Sequence, residues 1–120
     1  MLCFSTFAFA QTPQGFTYQA VATSLSGSPY NNTNIDVRAS IISGTINGTV
    51  EWEEIHQITT DPWGLFTIDV GTESNINGIQ IVFNDIDWGN NGPFFLKIEI
   101  DPGSTGNFLF MGTTKLMSVP

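Results

Sequence analysis

Apolar and polar residues alternate with a period of two along most of this chain, the pattern of half-buried strands. Phe16, Tyr18, Ala20 and Ala22 share one face of an extended segment, and Ile35, Val37, Ala39 and Ile41 share another. Phe66, Ile68 and Val70 point together, as do Phe94, Leu96, Ile98 and Ile100, with Lys97 and Glu99 on the opposite side. Turn-forming clusters punctuate these runs: Ser26-Gly27-Ser28-Pro29, Ser43-Gly44, Asn47-Gly48, Asp61-Pro62-Trp63-Gly64, Asn77-Gly78, Gly89 to Pro93, and Asp101-Pro102-Gly103. Short strands between regularly spaced turns, with no helical period, predict an all-β antiparallel sandwich, immunoglobulin- or transthyretin-like. Strands are expected at 15–23, 35–43, 49–60, 64–71, 79–84, 93–101, 107–112 and 114–119, about seven or eight in all. No helix is expected. The connection 71–78 reads as the loosest part, and Ser24–Asn34 as the next.

The first residues read differently. Leu2–Phe9 is a short apolar run, and Ala8-Phe9-Ala10 before Gln11 has the small-x-small form of a signal cleavage site. Residues 1–10 are therefore expected to be a signal peptide with a truncated n-region, since Leu2 follows Met1 directly; the alternative is a first strand. The run is too short to span a bilayer as a helix. Cys3 is the single cysteine, so a chain starting at Gln11 has no disulfide, thiol nucleophile or cysteine metal site.

The 120 residues suit one domain, 11–120. Charged residues make up only 12%, and the net charge is −8 from eleven acids and three bases, Arg38, Lys97 and Lys115. Three cations neutralise too few phosphates for nucleic acid to be a partner. Most acids fall on outward strand positions or loops (Asp36, Glu51, Glu53, Glu73, Asp85, Asp87, Glu99, Asp101), which predicts a solvated acidic coat. Glu54 alone lies on an apolar face.

Several segments carry a resemblance. Gln14 to Ala22, Glu54-Ile55-His56, Thr59 to Phe66, Ile86-Asp87-Trp88-Gly89, Phe95 to Pro102 and Leu116 to Pro120 together resemble the N-terminal module of large secreted surface and tail-fibre-like proteins of Gram-negative bacteria. The stretch Thr60 to Val70 also resembles a hairpin of transthyretin-like and carboxypeptidase-regulatory-like sandwiches. The resemblance implies a module that follows a signal peptide and precedes a repetitive or fibrous region, so this chain is expected to be the N-terminal part of a longer protein. It implies no catalytic residues.

The candidate chemistry is sparse. His56, the one histidine, shares a strand face with Trp52 and Glu54, a spacing that permits an acid–base pair. The plainer expectation is a structural polar cluster of Arg38, Glu54 and His56, each satisfying another beside the core. The loop Asn84 to Gly92 offers oxygen ligands, but Gly89 and Leu96 occupy positions where a helix-loop-helix calcium loop needs ligands. Asp85, Asp87 and Asp101 remain a looser calcium candidate. Glu51, Glu53 and Glu54 supply carboxylates for glycoside hydrolysis, yet so small a sandwich leaves little room for a cleft. Trp52, Trp63 and Trp88, with Tyr30, would stack on sugars if exposed. Asn31-Asn32-Thr33 and Asn47-Gly48-Thr49 match the glycosylation sequon.

These readings converge on a non-enzymatic structural or adhesive module, secreted or held at the cell surface, with no cofactor and no membrane span. Its expected partners are its own C-terminal region or other surface proteins, with glycans as a further class. A carbohydrate- or calcium-binding module is the alternative, and a small hydrolase the second.

Overall fold

The computed structural model describes residues 15–90 and 92–116; the expected signal segment 1–10 and its alternative reading as a strand lie outside them. The described chain is all-β apart from one three-residue 3-10 turn, Phe83–Asp85. Six strands follow one another: β1 (Phe16–Val21), β2 (Asn34–Ser43), β3 (Thr49–Thr59), β4 (Leu65–Val70), β5 (Phe94–Pro102) and β6 (Leu109–Leu116). They form two antiparallel sheets, a pair β1-β4 and a four-stranded sheet in the order β3-β2-β5-β6. No helix among the described residues is long and apolar enough to cross a membrane.

Alternation determines which side of each strand is buried. In β4, Phe66, Ile68 and Val70 are buried while Thr67 and Asp69 are exposed, and in β5 Phe94, Leu96, Ile98 and Ile100 are buried. These residues join Ile35, Val37, Ala39 and Ile41 of β2 and Trp52 of β3 in one hydrophobic cluster to which both sheets contribute. Burying each such Val, Ile, Leu or Phe side chain contributes about 1.5–3 kcal/mol. The turn Asp61-Pro62-Trp63-Gly64 hands the chain from β3 to β4, and so from one sheet to the other. Asp61 Oδ1 accepts the N–H groups of Trp63 and Leu65 at 2.8 and 2.9 Å. Gly64 has φ +84°, and a Cβ there would press on the Ala22 carbonyl and Pro29 at 3.0 Å.

Two expected strand boundaries are corrected. The strands expected at 107–112 and 114–119 are one strand, because Gly112 pairs with Ile98 and the ladder continues past it to Leu116 opposite Phe94. The strand expected at 79–84 is absent. Phe83 turns into the core instead, its ring 5.5 Å from Trp52 and 5.8 Å from Trp88. The N–H groups of Asp85 and Ile86 then close a tight turn on the carbonyls of Val82 and Phe83. The described residues thus hold six strands, fewer than expected.

The connection 71–82 is also tied down rather than loose. Asn75 is its hub: Oδ1 accepts from the Glu53 and Gly78 N–H groups, and Nδ2 donates to the Gly78 and Gln80 carbonyls, all within 2.7–3.0 Å. The N–H groups of Ile76, Ile79 and Gln80 donate to the β3 carbonyls of Glu53, Val50 and Glu51. Gly78 lies so close to β3 that a Cβ would stand 2.5 Å from the Glu51 carbonyl and from Trp52 backbone atoms. The segment thereby satisfies backbone groups on the free edge of β3, which would otherwise pair with water or another chain.

Candidate functional site

The core-facing side of β3 carries Trp52, Glu54 and His56, opposite Ile41, Ala39 and Val37 of β2. Ala39 is the smallest of these three partners and lies opposite the glutamate. Glu54 is fully buried, and both of its oxygens are engaged. Oε1 accepts from the Trp52 indole N–H at 2.5 Å and from the Gly71 N–H at 2.8 Å, while Oε2 is hydrogen-bonded to His56 Nε2. Gly71 makes the third contact possible. Its φ is +101°, and a Cβ would meet Gly15 at 2.9 Å and the Phe83 ring at 3.1 Å. This arrangement joins β3 to the end of β4 and satisfies a buried carboxyl group. It presents neither a nucleophile nor an exposed acid to a substrate.

Arg38 does not join this cluster. It stands opposite Ile55 on one side and Glu99 on the other, so its side chain lies on the far face of the sheet. There it grips Glu99 with two bonds, Nε to Oε1 at 2.8 Å and Nη2 to Oε2 at 3.0 Å, and covers the Phe108 ring at 4.1 Å. Those bonds from Arg38 hold the Glu99 carboxyl below its ordinary range. Bonding to Glu99 likewise raises the Arg38 guanidinium.

The calcium candidates are dispersed. Asp85 and Asp87 lie in the exposed loop before β5, and Asp87 accepts from the Asn90 amide. Asp101 lies near the other end of β5, seven residues beyond Phe94, or about 23 Å along an extended strand. Its oxygens are committed to the β5–β6 hairpin: Oδ1 accepts from the Thr105 N–H and hydroxyl, Oδ2 from the Gly106 N–H. Desolvation pushes the Asp101 carboxyl up, but bonds from the backbone of Thr105 and Gly106, the Thr105 hydroxyl and the Asn107 backbone outweigh it and leave it below its ordinary value. No three histidine, cysteine, aspartate or glutamate side chains among the described residues gather as a metal site would need.

Of the three tryptophans, Trp63 alone is exposed, at 73%. Trp52 is buried, and Trp88 packs against Phe94 at 4.8 Å between ring centres. The Trp88 indole nitrogen is buried without a hydrogen-bond partner. The two inner tryptophans therefore plug the core, and the described residues form no aromatic platform from the three. Tyr30 is part-buried against the core. The acidic coat is also thinner than expected: Glu51, Glu53 and Asp101 are buried. Glu51 accepts from Ser43 and Gln80, and Glu53 from Ser40. Gln80 reaches Glu51 from the 71–82 segment along the β3 edge, a placement that could not be read from sequence.

That segment carries what the sequence reading missed. Ile76, Ile79, Ile81 and Val82 are all exposed. Beside them opens a cleft of ≈ 400 Å³ lined by Trp52, Gly71 to Asn75 and Ile81 to Asn84. The available signal was Asn75 and Gly78 just ahead of the apolar run Ile79 to Phe83; the run reads as a buried strand only if the preceding glycine does not lie against another backbone.

A family model for a domain of unknown function, DUF8740, matches residues 17–113, and the chain belongs to that family. No curated protein and no solved structure matches it.

Proposed function

We propose that this chain is an exported, non-enzymatic structural or adhesive module, a β-sandwich of immunoglobulin- or transthyretin-like type presented at the bacterial cell surface. It serves there as the base for a C-terminal fibre or repeat region. One observation chiefly supports this reading: the groups best suited to chemistry are bonded into the scaffold. Glu54 is bonded to His56, Trp52 and Gly71, Arg38 to Glu99, and Asp101 to its own hairpin. Such bonding rigidifies loops and sheet junctions, which suits a spacer or docking unit. The signal-like residues 1–10 support export.

The test is surface protease digestion of intact cells expressing the chain with an epitope tag after Pro120, beside fractionation. Removal of the tag without lysis is expected. Retention of the uncleaved chain in the cytoplasm would sink the proposal. A glycan-binding reading is favoured by Trp63 alone, exposed on a turn that Asp61 holds rigid. Loss of glycan-array signal in Trp63→Ala would support that reading, and an array without signal for the parent chain would remove it.

A further inference from the structure

We infer that the 71–84 segment is a docking surface for an extended, basic peptide segment of a partner protein, one alternating lysine or arginine with aliphatic residues. Three features of the segment point to this occupant. Gln80 turns inward to donate to Glu51, while its neighbours Ile79 and Ile81 face solvent at 64% and 87% exposure. Ile79 and Ile81 thus offer two solvent-facing aliphatic contacts close together in the chain, as a partner with more than one aliphatic side chain requires. The adjoining cleft has an apolar wall of Ile81, Val82 and Phe83 and an acid, Glu73, at its lining, so an inserted aliphatic side chain and a neighbouring cation are accommodated together.

Charge selects among occupants. Glu73, Asp85 and Asp87 are exposed along this segment and the loop after it, and no lysine or arginine occurs between Arg38 and Lys97. A second copy of a chain of net charge −8 would bring these acids against their own kind, whereas a basic segment neutralises them. The surface is also pre-ordered. Asn75 and the β3 edge hold its backbone, so little ordering entropy is lost on binding.

The inference deepens the reading of the chain as a docking module, but it is tested with purified protein, independently of export. The probe is a fluorescein-labelled Lys-Ile-Lys-Val-Lys-Ile-Lys peptide, titrated with the full 120-residue chain and followed by anisotropy. Saturable binding with Kd below about 100 µM is expected. Ile79→Ser with Ile81→Ser leaves the net charge unchanged and is expected to weaken binding about tenfold or more. Glu73→Gln should weaken it about threefold and flatten its salt dependence. If the double variant loses stability, Ile81→Ser alone, at a side chain almost wholly in solvent, must still weaken binding. Equal affinity of the serine variants and the parent would overturn the proposal, because the peptide would then be held by charge alone. So would an absence of saturation, or a concentration-dependent dimer in sedimentation that the serine variants abolish.

Discussion

Replacing Glu54 in two ways separates the geometry of its site from the mere presence of a glutamate. Glu54→Ala removes the acceptor of two N–H groups, the Trp52 indole and the Gly71 amide, in a place where the glutamate itself is fully buried. Each donor left unsatisfied costs about 1–3 kcal/mol. The lost Cγ methylene adds about 0.8 kcal/mol, which puts the alanine variant roughly 3–7 kcal/mol below the parent. That is a large part of the ~5–15 kcal/mol that a domain typically has. Glu54→Gln behaves differently because both N–H donors converge on one oxygen, Oε1. A glutamine carbonyl in that position keeps both bonds, and its amide donates to His56 Nε2 in the ring tautomer that accepts. Its cost is expected to be about 1 kcal/mol. Urea unfolding followed by tryptophan fluorescence reads both, with the slope checked for constancy across variants. Alanine and glutamine variants that unfold within about 0.5 kcal/mol of each other would refute this reasoning, since the oxygen at Oε1 would then contribute nothing.

Gly78→Ala places a methyl 2.5 Å from β3 backbone, so it should detach the 75–80 segment; amide exchange at Ile76, Ile79 and Gln80 is expected to rise well before that of the β2 core amides. Acid should destabilise the chain through Glu99 and Asp101, whose carboxyls are held below their ordinary 4.5 and 3.8. The stability they contribute is fully present above those values and is lost as pH falls through the lower folded ones. Unfolding curves at pH 6 and at about pH 3 should therefore differ less for Glu99→Gln and Asp101→Asn than for the parent. Asp101→Asn should also open the hairpin, seen as faster limited proteolysis within 103–107. Trp63→Ala should leave stability within about 0.5 kcal/mol of the parent, because its side chain stands in solvent.

How much was legible depended on whether a residue's surroundings are set by its own strand or by another. The buried faces of β2, β4 and β5 follow from alternation alone, because residues two apart share a side whatever the strand pairs with. Glu54 and His56 were legible as a pair for the same reason. Arg38 was not, because β2 is an inner strand with two neighbours, and only the register shows that Glu99 of β5 stands beside it. Glu51 and Glu53 lie on the face that alternation assigns to solvent, yet they are buried and bonded, Glu51 to Gln80 of a distant segment and Glu53 to Ser40 of β2. The same segment explains the missed strand at 79–84. Its residues have strand-like composition, but the edge of β3 is satisfied through the Asn75 side chain and a glycine at close approach, an arrangement with no period to read. Edge capping of this kind leaves a consequence that pattern alone cannot supply: a segment whose inward groups are occupied by β3 must turn its aliphatic side chains outward. Ile79 and Ile81 are exposed for that reason. A surface of this kind either costs solubility or contributes to binding, and the acids beside it favour the second.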